Sequence, residues 1–151
     1  MIIKKVDTKE EAIECNNLLT MLIRQEKEYD ENTNVEFVVS NWFENLYYKD
    51  DYVLYVAIID NKIVGYVYAK IKELDFTSIK NEEVLIDGLY VLEEYRNKKI
   101  ATNLIEEVKK WSLNKNIDTI SLNVMYGNEI ARKLYRKLGF ECFSLTLKCN
   151  L

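Results

Sequence analysis

The chain has 151 residues, 48% of them hydrophobic and 30% charged, with a net charge of −4 and a pI near 5.1. That length suffices for one domain with a proper core, and an acidic balance argues against broad nucleic-acid binding, which needs a basic face. Histidine is absent, which excludes Ser–His and Cys–His nucleophile pairs, a histidine base and histidine metal ligands, so acid–base chemistry falls to Asp, Glu, Tyr, Lys, Cys or water.

The N-terminus has no long apolar run, so neither a signal peptide nor a membrane span is expected. Cys15, Cys142 and Cys149 are scattered without metal-ligand spacing and read as reduced packing thiols of a cytoplasmic protein, with no metal. Residues 2–6 predict a short strand. Asp7 or Thr8 can cap a helix whose first turn holds Glu10 and Glu11. Ala12, Cys15, Leu19, Leu22 and Ile23 form its apolar stripe, which fades near Tyr29. After a polar loop over 30–34, Val35, Val38, Val39, Trp42, Phe43 and Leu46 predict a second amphipathic helix ending near Tyr48, with Trp42 in the core. Residues 52–59 are apolar on both faces, the pattern of a central strand. The turn at 60–62 leads into 63–71, an antiparallel hairpin partner. Residues 72–83 read as a polar loop.

The next stretch, 84–102, reads VLIDGLYVLEEYRNKKIAT. It is a strand, an acidic turn and a basic loop running into a helix. Gly88 inside the strand marks either a bulge, with close backbone approach, or a packing glycine. Ile100, Ala101, Leu104, Ile105, Val108 and Trp111 recur on one helical face, to about Asn114. The first amides of such a helix lack intrahelical partners and sit at the positive end of its dipole, so they attract anions. Arg96, Lys98 and Lys99 add side-chain charge, and a phosphate-bearing ligand fits. Residues 119–124 alternate as a strand and 125–127 turn. Asn128 can cap a helix carrying Ile130, Ala131, Leu134 and Leu138, and Gly139 suits a left-handed stop. Residues 140–147 predict a last strand. The order β-α-α-β-β-β-α-β-α-β predicts one mixed α/β domain over residues 1–151.

Two motifs together carry a resemblance. Arg96-Asn97-Lys98-Lys99-Ile100-Ala101 is similar to the acyl-CoA loop of the GNAT family of N-acetyltransferases, Q/R-x-x-G-x-G/A, with Lys99 where glycine is usual. Asn128, Ala131, Leu134, Tyr135, Gly139 and Phe140 match the family's later pattern, N-x-x-A-x-x-L-Y-x-x-x-G-F, at every position. The resemblance implies a mostly antiparallel sheet flanked by helices on both faces, acetyl-CoA as co-substrate, and direct acetyl transfer to a primary amine. It places the pyrophosphate over Arg96, Asn97, Lys98, Lys99, Ile100, Ala101 and Thr102. The pantetheine arm would lie in a gap against the Leu89 and Val91 backbone, with residues 122–124 across it, and the resemblance also counts Tyr90, Asn123, Asn128 and Ala131 among the cofactor-binding residues. It makes Tyr135 the general acid, a tyrosine that otherwise reads as helix packing. Asp87 is the leading candidate base, with Glu83, Glu82 and a water chain as alternatives; Asp87 equally reads as a carboxylate bonding bulge amides.

Residues 26–51 hold eight acidic against two basic residues, with Tyr29, Trp42, Tyr47 and Tyr48 among them, which suits a cationic amine on a small molecule or peptide. An acidic surface helix is the plainer reading of the same stretch. Neither nucleic acid nor membrane is an expected partner, and the resemblance leaves room for a homodimer. The rival reading is a non-catalytic acyl-CoA-binding or regulatory domain of the same fold.

Overall fold

The computed structural model describes residues 1–151. Five strands form one sheet in sequence order: β1 (Ile2–Lys5), β2 (Tyr52–Ile59), β3 (Lys62–Glu73), β4 (Glu82–Val91) and β5 (Ile120–Leu122). All neighbours are antiparallel except the parallel pair β4–β5. Three helices accompany them: α1 (Lys9–Glu26), α2 (Ile100–Asn114) and α3 (Glu129–Lys137). The helix α1 lies against β3 and β4, and α2 against β2, β3 and β4. Every residue of β3 from Ile63 to Ala69 is buried, so both faces of the sheet are covered and the strand reads as a continuous apolar run. The predicted mixed, mostly antiparallel sheet with helices on both faces is what forms. No helix is long and apolar enough to cross a membrane.

Local signals act where expected. The Thr8 hydroxyl accepts from the Glu11 amide at 3.3 Å to start α1, and Asn128 Oδ1 accepts from the Ala131 amide at 3.1 Å to start α3. Gly139, at φ +92°, follows the end of α3, a backbone conformation in which glycine carries no Cβ penalty. The strand β3 extends to Glu73 and β4 begins at Glu82, so both ends of the expected 72–83 loop are strand.

Two expected elements do not form. Residues 27–51 contain only a single 3₁₀ turn, Phe43–Asn45, in place of the second helix. Val35, Val38 and Val39 are β-branched and weak helix formers, and Asn41 sits at φ 54°, which breaks a right-handed helix. The segment's amides are instead taken by two buried polar side chains one turn apart on α1. Asn16 Oδ1 accepts from the Phe43 amide at 3.1 Å while its Nδ2 donates to Glu44 at 2.7 Å. The Thr20 hydroxyl accepts from the Val39 amide at 3.0 Å and donates to the Asn16 carbonyl at 2.9 Å. Phe43 is thereby placed edge-on against Tyr66 and Tyr68, with centroids 5.6 and 5.2 Å away. Trp42, expected in the core, is 47% exposed.

The predicted last strand over 140–147 is likewise absent, and Phe143, Leu145 and Leu147 stand exposed. Of the three expected packing thiols only Cys15 is buried; Cys142 and Cys149 are exposed.

Asn16→Ala tests how the 27–51 segment is pinned. It strips a buried amide of its acceptor, so the variant should lose about 1–3 kcal/mol and melt several degrees lower, while the exposed Asn17→Ala should leave the melting temperature within a degree or so.

Candidate functional site

The pairing of β4 with β5 covers only Val84–Ile120, Leu85–Ser121 and Ile86–Leu122. Beyond Ile86 the strand β4 runs on to Val91 with no neighbour on that side. The parting coincides with a bulge. On the β3 side Tyr68 pairs with Gly88 and Ala69 with Ile86, so Asp87 is an extra residue. A bulge bends its strand and increases local twist, turning β4 away from β5 at this point. The Leu92 amide bonds to the Val64 carbonyl at 2.9 Å. Alternation along the strand then directs the Leu89 and Val91 amides into the gap. Asn123 stands exposed just past the end of β5 on the far side.

The gap leads to the start of α2, which has the expected character. Asn97 and Lys99 both adopt left-handed backbone, at φ 60° and 61°. No hydrogen bond within the chain engages the amides of Asn97, Lys98, Lys99, Ile100, Ala101 or Thr102, the nearest backbone bonds being Arg96 N–H to Glu93 and Asn103 N–H to Lys99. Successive unpaired amides in a tight loop at a helix N-terminus make a concave anion cradle. Lys99, in glycine's place, takes the conformation that glycine adopts freely. The Ile100 side chain is buried in the core, so only its backbone faces the loop. Lys98 Nζ lies 5.1 Å from the Tyr95 ring centroid.

Arg96 is placed differently from a free phosphate ligand. Its Nε donates to the Val91 carbonyl at 3.0 Å, its guanidinium donates to Gln25 of α1 at 2.6 Å, and it lies 5.4 Å from the Tyr90 ring centroid. The Tyr90 side chain itself is only 8% exposed. Arg96 thus ties the loop to the end of α1.

Among the candidate acids and bases, Asp87 is half-exposed at the bulge and pairs with Lys70 at 3.3 Å. Glu83 is withdrawn: it accepts from the Ser121 hydroxyl at 2.8 Å, across the β4–β5 junction. Tyr135 lies half-buried on α3 against Phe140, centroids 5.9 Å apart. Burial pushes its hydroxyl up to about 12, so it stays a protonated donor throughout the neutral range. Tyr29, just past α1, packs near Gly127 in the turn before α3, so the acidic 26–51 segment adjoins the loop that leads to Tyr135. Glu26, at the end of α1, is raised above the usual carboxyl range by partial burial and then by Asp30. A separate hollow, lined by Lys5, Val6, Asp7, Tyr47 and Tyr48, involves β1, at the sheet edge opposite β5.

With this geometry in view, residues 17–140 match the acetyltransferase (GNAT) family. The chain belongs to that family. It is 41% identical over 93 residues to an N-alpha-acetyltransferase of Saccharolobus solfataricus, a match covering 58% of this chain and 55% of that protein. The chain therefore spans about half the length of this curated relative. Two solved structures share the GNAT fold with it. A tetramutant of the BH1408 protein from Bacillus halodurans superimposes with a TM-score of 0.86 at 22% identity, covering 100% of both chains. The aminoglycoside N-acetyltransferase AAC(6')-Iy in complex with CoA superimposes with a TM-score of 0.73 at 20% identity, covering 99% of this chain and 98% of that one.

One residue beside the site escaped the sequence reading. Tyr66, on β3, is fully buried, and its hydroxyl has no hydrogen-bond partner. Burial, then Cys15, Glu26 and Asp87, hold it well above the usual tyrosine range. A methyl group at Gly88 would come within 2.9 Å of that hydroxyl, so Gly88 is small because Tyr66 fills the space above it. Only its place in an apolar strand was legible in the sequence.

A double-mutant cycle checks this contact. Tyr66→Phe removes an unpaired buried hydroxyl, whose desolvation costs about 1–3 kcal/mol, and should raise the melting temperature. Gly88→Ala alone should lower it. In the double variant the nearest atoms would be ring carbons at 3.4 and 3.5 Å, so much of the Gly88→Ala loss should be recovered; strict additivity would rule the contact out.

Proposed function

We propose that this chain transfers an acetyl group from acetyl-CoA directly to a primary amine. The observation that carries the reading is the parting of β4 from β5 at Asp87, which leads into six unpaired amides at the start of α2. An extended amide-bearing arm suits the open β4 edge, because the Leu89 and Val91 backbone can pair with it as a strand would. A pyrophosphate suits the loop from Asn97 to Thr102, each anion–helix contact contributing roughly 0.3–1 kcal/mol. The relatives support the chemistry to the extent of their names: the Saccharolobus protein and AAC(6')-Iy are both N-acetyltransferases, the latter in complex with CoA.

In this reading the neutral amine attacks the acetyl carbonyl, a C–N bond forms, and the C–S bond breaks. The amine's surplus proton passes to Asp87, directly or through water. Asp87 is preferred to Glu83 because it stands at the parting itself, whereas Ser121 occupies Glu83. Tyr135 donates to the departing sulfur. With its hydroxyl raised to about 12 by burial, full proton transfer to a thiolate near 8.5 is uphill; its contribution is a hydrogen bond that strengthens as charge develops on sulfur. The acidic and aromatic 26–51 segment is the wall that receives a cationic acceptor. Cys15 is buried and its thiol is pushed up by burial, and the reading uses direct transfer without an acetyl-enzyme.

Thiol release from acetyl-CoA with a panel of amines, set beside calorimetric CoA binding, separates this from a binding-only domain. CoA binding without turnover on any amine would favour the latter. Tyr135→Phe keeps the ring and its packing. It should lower kcat by about 10²-fold, the low end for losing one hydrogen-bond donor to developing charge, with CoA affinity nearly unchanged.

Lys99→Gly should raise stability by roughly 1 kcal/mol, the order of the penalty for a side chain in left-handed backbone. CoA affinity should hold if the amides do the binding. A tenfold or greater loss would instead assign a phosphate contact to the Lys99 ammonium.

A further inference from the structure

Asp87 stands where β4 parts from β5, and the chain holds one of its own amines against it. Lys70 Nζ lies 3.3 Å from Asp87 Oδ2, with the Lys70 side chain 35% and the Asp87 side chain 43% exposed. Lys70 follows Tyr66 and Tyr68 at alternate positions of β3, so all three project from one face of the sheet. Phe43 packs edge-on against those two tyrosines, which makes this the face that the 26–51 segment covers. Lys70, one step further along the strand, is only partly covered. A half-exposed ion pair contributes little to stability, so the fold does not require Lys70 to keep its charge.

We propose that Lys70 is a modification site: without an external acceptor, the chain acetylates its own Lys70 from acetyl-CoA. The inference rests on the acetyl-transfer reading, with Asp87 as base. A base must come within about 2.6–3.2 Å, or one water, of the nitrogen it deprotonates, and such contacts tighten on the way to the transition state. Lys70 Nζ, on its flexible stem, therefore stands where the nitrogen of an external amine has to arrive. Its ammonium passes a proton to Asp87, the freed lone pair attacks the acetyl carbonyl, a C–N bond forms and the C–S bond breaks. The new amide nitrogen sheds a second proton. The departing sulfur takes up one proton and one goes to solvent, leaving acetyl-lysine and the free thiol of CoA. Lys72 provides the comparison. It lies two residues further along β3, is more exposed at 51%, and faces Glu83 at 3.9 Å. That carboxylate is engaged by Ser121 and lies short of the parting. Exposure alone favours Lys72, whereas placement at the base favours Lys70.

The whole chain, incubated with acetyl-CoA and no amine and followed by peptide mass spectrometry, should gain an acetyl group at Lys70 faster than at Lys72 by about 10²-fold, the lower order of what a positioned base supplies. The rate per chain should not change with protein concentration, since donor and acceptor sit on one chain. Asp87→Asn should slow acetylation of Lys70 by about the same 10²-fold and leave that of Lys72 alone. Acetylation of Lys70 no faster than of Lys72, a rate per chain that rises with protein concentration, or a Lys70 rate indifferent to Asp87→Asn overturns the proposal. Thiol release with an external amine while Lys70 stays unmodified overturns it too and leaves the acetyl-transfer reading standing. A protein that binds CoA but acetylates neither an amine nor Lys70 overturns both.

Discussion

Beyond Ile86 and Leu122 the hydrogen bonds between β4 and β5 stop, and the rest of the site depends on that break. A parallel pair in a sheet covered on both faces would ordinarily continue to the ends of its strands. Here Asp87 is inserted between residues that pair with Tyr68 and Ala69, and the bulge turns β4 aside. The strand's free amides then lead into the unpaired amides that open α2. Two features that would be defects in a closed sheet, an unpaired edge and an uncapped helix start, supply two stretches of free donors, separated by the paired amides of Leu92, Tyr95 and Arg96.

The left-handed loop before α2 shows how local strain is sustained. Asn97 and Lys99 both hold positive φ, a conformation asparagine tolerates and lysine resists. The surroundings impose it. Ile100 is anchored in the core on one side, and Arg96 on the other is fastened to Val91, to Gln25 of α1 and against Tyr90. Arg96 thus shapes the cradle, and its charge is already engaged with the end of α1.

The same helix organises the 27–51 segment. Asn16 and Thr20 face inward from α1 and bond to amides of the 27–51 segment, so an acidic stretch without regular structure is held in place against the sheet. Polar groups buried in this way are satisfied and specific. They fix where Phe43 enters the core and leave Trp42 and Tyr48 at the surface. Tyr66 is the exception, a buried hydroxyl with no partner directly above the glycine of the bulge.

Signals confined to a few neighbouring residues were decided by the sequence alone. The caps Thr8 and Asn128, the glycine stop after α3 and the apolar central strands rest on local backbone geometry or short spacing, and each stands in the structure; Gly88 read as either a bulge or a packing glycine, and the structure makes Asp87 the extra residue with Gly88 packed under Tyr66. Tertiary structure decided what depended on partners distant in sequence. Apolar periodicity over 35–46 could not register that Asn16 and Thr20 would capture the segment's amides and displace a helix. Alternation over 140–147 could not supply a neighbouring strand, because a strand exists only through the edge it pairs with. The charge of Arg96 was legible, but its engagement with Gln25, 71 positions away, was not. Nor was the contact between Tyr66 and Gly88, since two residues on adjacent strands meet only once the bulge has set the register between them.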